Sequence, residues 1–561
     1  MLERHVNPTF PLPARTLSAI SRLIPNYRAR ERASQSIAHG RRKVSLRGDR
    51  RLASMLCCLA LLGCLTSIVQ AQQVKVVIRV LPDSSGRAVI EGSCAPTNTW
   101  SFRDSYAGIL NLGSRVEGFR LFDSTGTEIP NRRIAPGQFQ AANPAPRFRY
   151  EITLAPPAGA ADAARVSWLN SERGLLMLGD LLPTFSSGLP DGIGGEKAKD
   201  KVAATHVSLR LSLPEGWVSH ADAPPGGEFE VADAASAVFA IGSHLRVSRT
   251  TMSGMTLSLV AAGEWAFTDG EALELAGKIL KAHRDVFAAA PSRQATLILF
   301  PFPQNGAPDK WSAETRGSSV TLLIGKLPSK IAALVQLSVP LTHEFLHLWV
   351  PNGLTLDGDY DWFYEGFTIY QAARIGVRLD LLTFQEFLNA ISRAYDAYTL
   401  GLDHDRWSLI EASKRRWTGG ESSVYSKSMV IAFLYDLNLR TQSRGKRSLD
   451  DVYRDIFRGY RLSETGVGAG NRLGQGSNGS EVVINTLGSY AGVQDFGRLF
   501  IRDAVAIKLA EQLAPFGLRV ETFGLRTRIS VSEALTRQQR DLLHDLGYND
   551  YVRSPRQRKP S

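Results

Sequence analysis

The chain has ten histidines, and only His343 and His347 stand four residues apart, in Thr342-His343-Glu344-Phe345-Leu346-His347. On a helix this spacing puts both imidazoles on one face, where they can share one ion. Glu344, beside the first histidine, is placed to take a proton from a water that the ion activates. Two imidazoles leave a catalytic zinc one protein ligand short. The run Asp361-Trp362-Phe363-Tyr364-Glu365-Gly366-Phe367 offers the third in Glu365. Seventeen residues lie between His347 and Glu365, enough for a turn and a second helix packed against the first. The aromatic neighbours of Glu365 predict a buried face, and a buried carboxylate needs a partner such as a metal. Two imidazoles and a carboxylate suit zinc without being exclusive to it.

These residues need elements to hold them. The histidine helix is expected to begin near Pro340, with Ser338 as its cap, and Asp361 to cap the helix of Glu365. Helical spacing covers 331–350, 360–375, 383–397, 422–440, 449–457, 481–490, 494–509 and 532–546. Ahead of these, Thr268-Asp269-Gly270-Glu271 opens a helical run to residue 290, and strands are predicted at 295–300 and 320–324. Residues 74–260 read as β-rich, with apolar alternation in Val74–Val80, Arg149–Leu154 and His206–Leu213. Gly/Pro-rich Ser186–Gly195 is expected to join two β layers, and Gly466–Gly479 to be a flexible connection. The prediction is an α+β multidomain protein. Its parts are a leader over 1–71, a β-sandwich or saddle domain over 72–265, a mixed α/β domain over 266–525 with a helical end, and a C-terminal helix and basic tail over 526–561.

Charge points the same way. The formal charge of +12 is concentrated at the two ends, with +9 in residues 1–71 and +4 in 552–561, so the body is close to neutral. That argues against a phosphate-tracking surface and so against nucleic acid as a partner. Arg50 and Arg51 precede the apolar run Met55–Val69, and Val69-Gln70-Ala71 offers small residues for cleavage before Gln72, which predicts export. An uncleaved signal anchor, or a lipid anchor at Cys64, would be the route to a membrane. Cys57, Cys58 and Cys64 lie in that apolar run, which leaves Cys94 alone in the mature chain with no intrachain disulfide to form.

The motif His-Glu-x-x-His, followed by Trp362-Phe363-Tyr364-Glu365-Gly366-Phe367-Thr368-Ile369-Tyr370, resembles the gluzincin metallopeptidases. Within them it is most similar to the glycyl aminopeptidase family and next to the membrane alanyl and leucyl aminopeptidases. Tyr425-Ser426-Lys427-Ser428, Asp436-Leu437-Asn438-Leu439-Arg440 and Ser448-Leu449-Asp450-Asp451-Val452 extend the resemblance, with Ser428 where those families usually have glycine. The resemblance implies a thermolysin-like catalytic domain holding one zinc ion on His343, His347 and Glu365. It implies Glu344 as the general base and Tyr425 as a donor to the tetrahedral oxyanion. Those families also set a glutamate against the substrate's free α-amine. Its equivalent would be Glu314, although the glycines that usually flank it are missing.

The expected function is that of an exported zinc metallopeptidase, an aminopeptidase by resemblance, acting on a peptide or protein substrate. The alternatives are a zinc endopeptidase on the same centre and an inactive peptide-binding scaffold.

Overall fold

The computed structural model describes residues 73–549 except 82–85, 185–204, 221–227, 253, 305 and 463–476. The expected leader, the basic tail, the Ser186–Gly195 stretch and most of the Gly466–Gly479 loop lie outside the described residues. The described residues all fall within one compact unit, Gln72–Ser561.

In Gln73–Val80 the residues Val74, Val76, Ile78 and Val80 are buried while Lys75 and Arg79 are exposed, the period of a half-buried strand. This strand pairs with Arg87–Ser101, which pairs with Gln138–Thr153, in an eight-stranded sheet. A second sheet has four strands, in the order Val218–His220, Val238–Gly242, Arg173–Met177, Trp168–Leu169. Every residue of Val238–Gly242 is buried. Phe239 and Ile241 join the core beneath the first sheet, whereas Val238 and Ala240 pack with Val260, Ile298, Phe300 and Leu323 of a third sheet. The middle of the second sheet is therefore covered on both faces, which is why Val238–Gly242 reads as a continuous apolar run rather than an alternating one.

The third sheet runs Arg246–Met252, Met255–Ala261, Gln294–Pro301, Ser319–Ile324, Trp311–Arg316. Two of its strands fall inside the expected 72–265 domain, so the sheets divide between Gly242 and Arg246, not at 265. Its far face carries Leu257, Leu259, Leu297, Leu299, Leu322 and Ile324, which pack against the helices. The antiparallel edge strand Trp311–Arg316 is new to the sequence reading. It places Glu314 on a strand rather than in a loop.

The helices follow. Thr268 and Glu271 close a capping box at the start of Asp269–Phe287. The histidine helix spans Lys330–His347, capped by Ser329, so it begins ten residues before Pro340. Ser338 donates to the Val335 carbonyl at 2.8 Å, inside the helix instead of capping it. An interior proline costs about 3 kcal/mol. Leu337, Leu341 and Phe345 are fully buried on the same helix, at about 1.5–3 kcal/mol each, and offset that cost. The C-terminal part also differs from expectation. Arg526–Val531 forms a hairpin with Leu518–Phe523 across the expected 525/526 boundary, and only Arg537–His544 is helical beyond it. Buried Ile529 and Val531 give that stretch a period of two. In place of a helix over 494–509 there are two short turns, Arg498–Arg502 and Leu509–Leu513. Among the described residues no helix is long and apolar enough to cross a membrane.

The helical part is tied together at Asp436, which is fully buried. Its Oδ2 accepts from the Tyr370 hydroxyl at 2.7 Å and from Arg440 Nε at 3.0 Å, and Oδ1 accepts from the Leu449 amide at 2.7 Å. Arg374 approaches Oδ2 at 3.5 Å. Burial raises the Asp436 pKa, but Arg440 and Arg374 outweigh burial and hold the carboxyl at about 2, below its ordinary value. A carboxyl lowered on folding stabilises the native state fully above its unfolded pKa, and that stabilisation is lost as pH falls through the folded value. Asp436→Asn should therefore cost about 3–5 kcal/mol near neutrality. Urea titrations between pH 4 and pH 2 should show a shallower loss of stability in the variant than in the parent; parallel curves would remove Asp436 from this role.

Candidate metal centre

The site sits where three segments meet: the end of the Lys330–His347 helix, the turn Trp362–Phe367 and the turn Ser423–Lys427. Both turns are wound as π helix, a local widening often found at functional sites. Gly366 explains how they come so close. A Cβ there would collide with Ser428 Cβ and lie 2.7 Å from the Val424 carbonyl oxygen, so only glycine lets the two helices touch.

Asp361 makes no side-chain cap and is itself helical; it turns to Arg416 instead. His283, fully buried on Asp269–Phe287, donates from Nε2 to the Thr342 carbonyl at 3.0 Å and braces the histidine helix. Burial pushes its pKa down to about 3, so it stays neutral.

His343, His347 and Glu365 each turn one ligand atom toward a common point, all within 4.8 Å of one another. His343 Nε2 and His347 Nε2 lie 3.1 Å apart. Glu365 Oε2 is 3.5 Å from the first and 3.8 Å from the second. His347 Nδ1 donates to the Val350 carbonyl at 3.0 Å, which fixes the tautomer and leaves a lone pair on Nε2. Two nitrogen donors and one carboxylate oxygen so arranged are a donor set that zinc accepts, with a position left open. Burial raises the Glu365 pKa, but Arg416 and His347, with a hydrogen bond to His343, hold it well below the usual carboxylate range.

Glu344, 6% exposed, lies on the same helix. The Thr315 hydroxyl donates to its Oε2 at 2.6 Å. Thr315 stands on the edge strand, and its carbonyl and that of Gly317 in the turn that follows accept from Asn352 Nδ2 at 3.4 and 3.3 Å. Burial pushes Glu344 up to about 7, against the pull of His347 and Thr315.

Tyr425 is close to the trio, but through Arg416, which sequence reasoning missed. One guanidinium nitrogen of Arg416, Nη2, reaches Glu365 Oε1 at 2.8 Å and also donates to the Tyr425 hydroxyl. The other, Nη1, meets Asp361 Oδ1 at 3.2 Å. Burial and Glu365 push the Tyr425 phenol up, and Arg416 opposes them. The run Lys414-Arg415-Arg416 reads as a solvated basic patch, and only the following Trp417 hints otherwise. The Arg416 guanidinium lies 4.4 Å from the Trp417 ring centre.

Glu314 is not one of the donor trio and is already engaged. The Tyr106 hydroxyl donates to Oε1, Arg165 Nε lies 3.8 Å from Oε2, and Arg316 Nε is 4.0 Å from Oε1. Arg316 in turn stacks on the Tyr106 ring at 4.2 Å. Tyr106 is 208 residues away in sequence and gave no signal.

No protein-family model and no curated protein matches this sequence. Solved structures do. The aminopeptidase N family protein from Idiomarina loihiensis superposes with a TM-score of 0.64 at 18% identity, over 80% of this chain and 79% of that one. An M1 zinc metallopeptidase from Deinococcus radiodurans gives 0.48 at 14% identity, over 78% of this chain and 96% of that one. The first likeness establishes a shared fold, with a β-sheet N-terminal region followed by a mixed part ending in helices.

Gly366→Ala tests the packing of the site. It should separate the Glu365 and Tyr425 turns, lower the melting temperature by several degrees and weaken metal retention at least tenfold. Unchanged melting and metal retention would show that the turns tolerate separation.

Proposed function

We propose that this chain is a zinc-dependent metallopeptidase of the gluzincin type, and that its leader directs it to export. The observation that carries the reading is the convergence of His343 Nε2, His347 Nε2 and Glu365 Oε2 beside the buried carboxylate of Glu344. Bound there, zinc would supply Lewis acidity, polarising a carbonyl and bringing the pKa of a water to about 7.

The chain's own residues account for the remaining work. Glu344 Oε2, held by Thr315, accepts the proton of the attacking water and returns it to the leaving amine nitrogen. The Tyr425 hydroxyl donates to the oxygen that becomes negative as the carbonyl turns tetrahedral. His347, locked on Val350, keeps its donor nitrogen aimed at the site.

An aminopeptidase is the first reading, from the sequence resemblance and the shared fold. One observation favours an endopeptidase as the second. The carboxylate that would meet a free α-amine, Glu314, is already bound by Tyr106 and flanked by Arg165 and Arg316.

Glu344→Gln should keep its metal and lose about 10²–10⁴-fold in turnover. Purified residues 72–561 and the variant would be assayed on matched free-amine and N-acetylated fluorogenic peptides. Chelator-sensitive cleavage of the free-amine set alone supports the aminopeptidase; cleavage of the acetylated set selects the endopeptidase. Zinc-loaded, folded protein that cleaves neither set would overturn the proposal.

A further inference from the structure

We infer that Arg416 is a positioning residue that sets the direction of two groups at once, the Glu365 carboxylate and the Tyr425 hydroxyl. The inference rests on the peptidase reading above for the roles of those two groups, and on this chain's own geometry for the linkage.

Consider Glu365 first. A carboxylate has two oxygens and can present either or both to a cation. Here Oε1 is taken by Arg416 Nη2 at 2.8 Å, and Oε2 is the oxygen nearest both imidazoles, at 3.5 and 3.8 Å. The guanidinium therefore fixes which oxygen faces the histidines and keeps the carboxylate single-toothed. Asp361 Oδ1 holds Nη1 at 3.2 Å, and the Trp417 face supports the fork from one side, so the guanidinium is itself anchored. Its side chain is only 13% exposed, which leaves little water to compete for these bonds.

Tyr425 follows from proton counting. A phenol has one hydrogen to give and lone pairs to receive. A guanidinium has only hydrogens to give. The bond between Arg416 Nη2 and the Tyr425 hydroxyl must therefore occupy a phenol lone pair, with Arg416 donating. The Tyr425 proton stays free and points elsewhere. By taking a phenol lone pair, Arg416 turns the Tyr425 proton away from the guanidinium and leaves it for another acceptor. Without Arg416, neither the Glu365 carboxylate nor the Tyr425 phenol is held in that direction.

A lysine keeps the charge but has one nitrogen, so it cannot be anchored by Asp361 and meet Glu365 and Tyr425 in the same planar geometry. The test uses residues 72–561 with Arg416→Gln, Arg416→Lys, Tyr425→Phe and the Arg416→Gln/Tyr425→Phe double variant. Zinc affinity is measured by chelator competition, which is read whether or not any peptide is cleaved. Turnover is measured on the best substrate of the wild type. Arg416→Gln should bind zinc about 10–100-fold more weakly. With zinc saturating, it should lose kcat and leave KM nearly unchanged, and adding Tyr425→Phe should cost little more. Arg416→Lys should fold like the wild type, regain part of the zinc affinity and stay low in kcat. Wild-type zinc affinity in both Arg416 variants would overturn the carboxylate half. Multiplicative losses in the double variant would overturn the phenol half. If the wild type binds zinc and cleaves nothing, the peptidase reading fails, and the zinc measurements still decide whether Arg416 orients Glu365.

Discussion

A single buried carboxylate sets the terms for the rest of the site. Glu365 lies out of water between two imidazoles and a guanidinium, and burial by itself would push it toward the neutral acid. It stays charged because Arg416 and the histidines surround it. An isolated charge in that position would cost several kcal/mol. The fold therefore has to bring these partners to Glu365 from two other segments, both imidazoles from the Lys330–His347 helix and the guanidinium from Arg416. The two π-wound turns and the glycine contact between them serve that delivery.

The stack of sheets supplies the rigid side of this arrangement. The centre of the middle sheet is buried on both faces and joins the N-terminal β region to the sheet beneath the catalytic helices. The edge strand Trp311–Arg316 benefits directly. Neighbouring residues of a strand point to opposite faces. Thr315 reaches Glu344, while Glu314 beside it meets Tyr106 and Arg165 from the N-terminal region. One strand thus connects the candidate base with a charge cluster built largely by the other half of the molecule.

Legibility in the sequence followed the range of the interaction. The His343–His347 pair and its helix were readable because four-residue spacing is a local geometric fact. Glu365 was readable because aromatic neighbours announce burial, and a buried acid calls for a partner. The Asp269–Phe287 helix announced itself through its capping box. The failures have a common cause. Pro340 suggested a helix start because the packing that carries the helix through it comes from other elements, the Asp269–Phe287 and Thr368–Arg378 helices among them, which local spacing does not show. The boundary at 265 failed because strand alternation does not say which sheet a strand joins. Arg416 sat in a basic run that looks solvated, and Tyr106 lay 208 residues from its partner. Both owe their place to tertiary contacts that leave no periodic trace.

The two carboxylates Glu314 and Glu365 show why residue type alone cannot assign a role. Both are glutamates beside arginine. Around Glu365 the arginine takes one oxygen and leaves the other facing two imidazoles, so the carboxylate keeps a free valence toward the site. Around Glu314 a phenol holds one oxygen and arginines flank both, so its charge is met within the protein. A substrate ammonium would have to displace Tyr106 or outcompete two guanidinium groups to use it. A neutral or blocked peptide end faces no such competition. The surroundings of Glu314 thus depend on the N-terminal β region as well as on its own strand. The donor trio and Glu344 come from the Lys330–His347 helix and the Trp362–Phe367 turn, so that set is complete without a residue of the N-terminal β region.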